Sequence, residues 1–274
     1  MSFALQGVCV RHPSAAHADA GFALNDVTLS IGQGEQIALI GPSGAGKTTL
    51  LHTFACAHRA ASGAFSTFGL SPWDLDHAAR HALRARLFLA PQTPPLPPRQ
   101  RVVTAVLAGR LPQWSLWQAL VSLIKPGARN AEAAHEALAR FNLQDKLYAR
   151  VDRLSGGERQ RCGMARLLVS GAEAFLVDEP LSALDPTLSL QTLAALQQEA
   201  AGRNATLVCS LHQVELARSH FPRIIGLRDG RIAFDAARAD VTDDMIAALY
   251  QNANSTPDPA DFCTVPHTVI IAHC

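Results

Sequence analysis

Residues 39–51 read LIGPSGAGKTTLL. Gly41, Gly44 and Gly46 alternate with Pro42, Ser43 and Ala45, and the run ends on Lys47, Thr48 and Thr49. Lysine is scarce in this chain. Beyond Lys47 it occurs only at 125 and 146, whereas arginine is used freely, so the cation at 47 is not background composition. Upstream, EQIALIG is a short apolar run ending in glycine and reads as a buried strand. Downstream, TTLLHTFACA has the apolar spacing of a helix. A strand, a glycine-rich loop and a helix form the setting in which GxxxxGK[ST] holds phosphate. Glycine lets successive backbone N–H groups turn inward onto phosphate oxygens, and the helix start adds its positive end. Residues 41–49 are therefore expected to cradle a nucleoside triphosphate. Lys47 would reach the β- and γ-phosphates and the Thr48 hydroxyl would ligate Mg²⁺. The plain alternative, a glycine turn with a chance lysine, fits poorly with a chain so short of lysine.

Working outward, 274 residues suit one large domain, with or without a subdomain. Apolar residues make up 48% and charged residues 17%, a globular composition. A net charge of +1 lacks the basic surplus of a nucleic-acid binder. The start, MSFALQGVCVRHP, has neither the basic opening nor the apolar core of a signal peptide. No apolar run approaches the roughly 18 residues of a membrane helix. Six cysteines form no CxxC or disulfide framework, which suits reduced thiols in a cytosolic protein. FALQGVCV, VTLSI, AFLVDE (174–179) and ATLVCSLH (205–212) read as strands, and IIGLRDGRIAF as a hairpin turning at Asp229-Gly230. Residues 93–153 are mostly helical in pattern, entered through the proline-rich PQTPPLPP.

Two further motifs bear on chemistry. Asp178-Glu179 closes the strand AFLV. A carboxylate at a strand end can hold the Mg²⁺ shell beside a phosphate loop, and the next can polarise an attacking water. An acidic turn is the plain alternative, and the phosphate loop upstream tips the balance. Leu154-Ser155-Gly156-Gly157-Glu158 precedes the amphipathic RQRCGMARLL. Ser-Gly-Gly before Glu caps helices in any case, but it is also a second anion-binding helix start. One nucleotide does not need two such starts from one subunit. The second is therefore expected to serve the nucleotide of another copy in a symmetric pair.

Together these residues resemble the ATP-binding subunits of ABC transporters over about residues 3–250. GPSGAGKT looks like their Walker A, LSGGE their signature motif and AFLVDE their Walker B. Ser182-Ala183-Leu184-Asp185 looks like the D-loop, His212 in SLHQ the H-loop and Gln92 in FLAPQ the Q-loop. The resemblance implies an α/β fold: a P-loop, RecA-like core with an antiparallel N-terminal β-subdomain and an inserted helical subdomain at about 93–153. The cassette would span 1–252, followed by a tail, 253–274. It implies a homodimer on ATP binding, each nucleotide held by Walker A of one chain. Ser155, Gly156, Gly157, Glu158 and Asp185 of the other chain would complete the site. Glu179 would be the general base, His212 the γ-phosphate contact, and Gln92, with Thr48 and Asp178, a Mg²⁺ ligand. The expected partners are integral membrane permease subunits and, through them, a periplasmic or extracellular substrate-binding protein, with no nucleic acid. The expected place is the cytoplasmic face of the plasma membrane, peripherally bound.

Where the family stacks an aromatic ring on adenine, the register places His12, with Phe22 as the alternative. Imidazole is smaller and titratable, so weaker stacking is expected. Gly109-Arg110-Leu111, Ser115-Leu116-Trp117, SLHQVELAR and IIGLRDGRIAFD are similar to the phosphonate-importer ATPases. An importer or exporter of another substrate, or a soluble non-transport ATPase of the same family, are the alternatives. Trp114 and Trp117 can equally be helix-packing residues. In the tail, Cys263, His267, His273 and Cys274 are potential zinc ligands at a spacing that fits no standard site.

Overall fold

The computed structural model describes residues 1–11, 21–124 and 126–251. His12 and the tail from 252 onward lie outside the described residues. The strands are β1 Phe3–Arg11, β2 Phe22–Ile31, β3 Gln36–Ile40, β4 Ser62–Thr67, β5 Leu87–Ala90, β6 Ala174–Asp178, β7 Thr206–Ser210, β8 Arg223–Arg228 and β9 Arg231–Ala237. The α-helices are α1 Lys47–Phe54, α2 His77–Ala85, α3 Val102–Leu107, α4 Leu116–Ile124, α5 Ala128–Ala139, α6 Gly156–Leu168, α7 Pro186–Arg203, α8 Val214–His220 and α9 Asp243–Tyr250.

The central sheet runs β5-β6-β7-β3-β8-β9. Its first five members are parallel and β9 is antiparallel to β8. A second, antiparallel sheet of order β2-β1-β4 stands beside it. This is the expected α/β core with an N-terminal β-part. Period-two alternation sorts the central strands between two cores. Ala38, Ile40, Phe175, Val177, Leu207 and Cys209 face the helical side. Ile37, Leu39, Ala174, Leu176 and Val208 face α1 and the small sheet, where Phe3 and Phe54 stack with ring centroids 4.5 Å apart. Fully buried on both faces, these strands read as continuous apolar runs, which is why they were legible without alternation. The β8–β9 hairpin turns where expected, at Asp229 (φ 49°) and Gly230 (φ 75°). Two left-handed central residues match the twist of the flanking strands.

Between β5 and β6 the described chain is helical, beginning at Val102 rather than 93. The delay has a cause: PQTPPLPP places five prolines in residues 91–98, and each removes a backbone donor and blocks the helix behind it. The two tryptophans part company here. Trp114 packs against the helical-side core, whereas Trp117 on α4 is 74% exposed beside exposed Leu116, Leu120 and Val121. Helix packing therefore accounts for the first and not the second. Among the cysteines, Cys56, Cys162 and Cys209 are free and buried, and burial pushes the Cys56 and Cys162 thiols up to about 11 and 12. No helix among the described residues is long and apolar enough to cross a membrane.

Candidate active site

The phosphate loop joins β3 to α1 at the C-terminal edge of the parallel strands, the side on which open α/β sheets bind ligands. Its glycines are required by shape. A Cβ on Gly41 (φ 148°) would lie 2.1 Å from the Leu227 carbonyl oxygen, and one on Gly46 (φ 102°) 2.7 Å from that of Ala23. Gly46 is also the N-cap of α1 and supplies no side chain to cover the first-turn N–H groups. They are left pointing into the loop, as an incoming anion would need. Lys47 folds back over the loop. Its ammonium donates to the carbonyls of Gly41 (2.7 Å) and Pro42 (3.0 Å), and the residue is only 5% exposed. Burial lowers its pKa, while the nearby Glu179 and Asp178 carboxylates raise it.

Asp178 ends β6, and its carboxylate is held from two sides. The Thr48 hydroxyl donates to Oδ2 at 2.8 Å and the Ser210 hydroxyl to Oδ1 at 2.6 Å. Strand register explains the second bond, since Asp178 and Ser210 are direct partners across β6 and β7. Ser210 did not stand out in the sequence. The available signal was a hydroxyl at the end of a buried strand, one residue short of the loop bearing His212. Its oxygen also accepts the Glu179 N–H at 3.0 Å. Glu179 itself turns the corner in the left-handed region (φ 48°), a rare conformation for a residue with a side chain. Its carboxylate meets both remaining loop residues: Gln92 Nε2 donates to Oε2 at 2.8 Å, and His212 Nε2 lies 2.5 Å from Oε1. Thr48, Gln92, Asp178, Glu179 and His212, expected on sequence grounds to cooperate, thus stand in one network through Ser210, and Lys47 lies within electrostatic reach of both carboxylates.

The signature segment opens α6. Ser155 caps α6 in a reciprocal box: the Glu158 N–H donates to its hydroxyl at 3.2 Å, and its own N–H donates to the Glu158 carboxylate at 2.8 Å. That bond, first, holds the Glu158 carboxyl below its usual range, helped by Lys146 at 3.6 Å. The ordinary capping role is thus filled by these residues, and the exposed Gly156 leaves the helix start open: a Cβ there meets nothing within 4 Å. Asp185 likewise caps α7, accepting the Leu188 N–H at 3.0 Å. Phe22, the alternative base-stacking residue, lies under the Arg11 guanidinium, 5.6 Å from the ring centroid.

Comparison with known proteins gives the same picture by an independent route. The family model described as "ABC transporter" matches residues 24–182. The chain is 58% identical over 261 residues to the phosphonates import ATP-binding protein PhnC of Polaromonas sp., covering 95% of this chain and 93% of that one. It is 54% identical to PhnC 2 of Albidiferax ferrireducens across the full length of both chains. Among solved structures it resembles the dimeric structure of MJ0796, a bacterial ABC transporter cassette, with a TM-score of 0.75 and 25% identity, covering 86% of this chain and 98% of that one.

Proposed function

This chain belongs to the ABC transporter family, and from that premise we propose that it is the ATP-hydrolysing subunit of an importer for phosphonates or a closely related phosphorus oxyanion. The observation that carries the substrate reading is high identity across essentially the whole chain, loops and helical insertion included, to relatives named for phosphonate import. A likeness confined to the phosphate loop and Walker B would support only the ATPase.

The residues fit a MgATP complex. Thr48, Asp178 and Gln92 offer hard oxygen ligands, of the kind Mg²⁺ takes alongside substrate phosphates. Mg²⁺ held there would supply positive charge against the charge that develops on the phosphates. Lys47 donates its ammonium to the carbonyls of its own loop. A triphosphate would offer it a charged acceptor, the stronger class of hydrogen bond. Glu179 is the base, accepting the proton of the attacking water. His212 and Gln92, which hold its carboxylate, would contact the γ-phosphate and help hold Mg²⁺ respectively. Ser155, Gly156 and Gly157 with Asp185 of a second copy close the site. The exposed apolar face of α4, with Trp117 at its centre, is offered to the membrane subunits. The complex then sits on the cytoplasmic face, and the substrate-binding protein acts on it across the membrane.

ATP hydrolysis by the chain assembled with its membrane subunits and binding protein tests the reading. A phosphonate-loaded binding protein should raise the rate well above that of the empty binding protein, and sulfate should not. Stimulation by sulfate with none by phosphonate would overturn the substrate assignment and leave the ATPase standing.

A further inference from the structure

We propose that Gln160 is a positioning residue that ties the start of α6 to the backbone of the catalytic corner, so that each chain's signature segment and its own general base move as one body. Gln160 lies one turn into α6 and is 3% exposed. Its amide makes three hydrogen bonds. Nε2 donates to the Glu179 carbonyl at 2.9 Å and to the Ser182 hydroxyl at 3.3 Å, and Oε1 accepts the Ala183 N–H at 3.0 Å. A flipped amide would set donor against donor and acceptor against acceptor, so the network fixes its orientation.

The partners are what distinguish this glutamine from a buried polar side chain merely kept satisfied. All three belong to the segment 179–183, which runs from the proposed base into the D-loop. Glu179 holds a left-handed φ of 48° that its side chain disfavours, and such a corner persists only when its surroundings over-determine it. Two side chains do so here: Ser210 accepts its N–H, and Gln160 donates to its carbonyl. Contact at the helix start is equally close. A Cβ on Gly157 would lie 2.9 Å from the Ala183 carbonyl oxygen, so the first turn of α6 and the D-loop touch without an intervening side chain. Nearly two turns further along, a Cβ on Gly163 would lie 2.6 Å from Pro94, in the segment that carries Gln92. A shift of α6, on docking against a second nucleotide, is therefore passed directly to Glu179.

This inference rests on the proposed roles of Glu179 as base and of α6 as the start that faces the partner's nucleotide. The test compares Gln160→Met, which removes all three bonds at similar volume, with Gln160→Glu, which keeps the acceptor for Ala183 and loses the donor to Glu179. Both are measured on the full chain for kcat, KM for ATP, the Hill coefficient for ATP and thermal unfolding, with Glu179→Gln alongside. Misplacing a reacting group by a fraction of an ångström should cost about 10- to 100-fold in kcat, with KM changed by no more than about twofold. The Hill coefficient should fall below that of the unsubstituted chain. Lowering the pH should restore part of the Gln160→Glu rate, since a protonated carboxyl regains the donor, and should do nothing for Gln160→Met. If Gln160→Met fails to fold, the Gln160→Glu rate and its pH profile decide alone. Folded variants with unchanged kcat and Hill coefficient, beside an inactive Glu179→Gln, would overturn the role of Gln160 and leave the base assignment intact. Turnover by Glu179→Gln would instead remove the reading on which it rests.

Discussion

At the scale of single residues, the site is a set of groups bonded to one another. Lys47 rests on the carbonyls of Gly41 and Pro42, Thr48 on Asp178, and both Gln92 and His212 on Glu179. Replacing Glu179 with Gln separates binding from chemistry. The amide retains the size of the side chain and keeps an acceptor for Gln92, but it cannot take the proton of water. Affinity for MgATP should stay within about threefold, while turnover drops by about 10²-fold or more, the scale of losing a general base. An ATP-bound dimer should then accumulate, visible by gel filtration. An unchanged steady-state rate would rule Glu179 out as the base.

Secondary-structure elements explain what was and was not legible beforehand. Walker A and Walker B were readable because their strands are buried on both faces and end in residues whose types are dictated by chemistry. The left-handed hairpin turn at Asp229-Gly230 was readable because few residues tolerate it. Ser210 and Gln160 were not. A serine at a strand end and a glutamine on an amphipathic helix are ordinary until register and packing bring them to Asp178 and Glu179. The proline-rich entry to the helical region was legible, and the first helix follows it at Val102. The face of α4 was read for sequence likeness and not for exposure. Trp117→Arg, on that exposed face, should leave ATP hydrolysis by the separate chain unchanged and lower recovery of the chain with its membrane subunits by about tenfold, which is roughly 1.4 kcal/mol of lost contact. Co-purification at normal yield would show that α4 does not meet the permease.

For the whole molecule, the central feature is that one chain carries two open helix starts. The phosphate loop, Asp178 and Glu179 gather at the C-terminal edge of the parallel strands. The capped but open start of α6 presents Ser155 and Gly156 to solvent. Two such starts in one chain make sense if each site is completed by a second copy, an arrangement in line with the dimeric cassette that the fold resembles. The measurement that bears on it most directly is ATP hydrolysis by mixed dimers carrying Lys47→Ala and Ser155→Arg. Placed on the same chain, the two changes should damage both composite sites and leave almost no activity. On opposite chains they should fall in one site and spare the other, leaving about half the normal rate if the two sites turn over independently. Equal activity for the two arrangements would contradict the shared site.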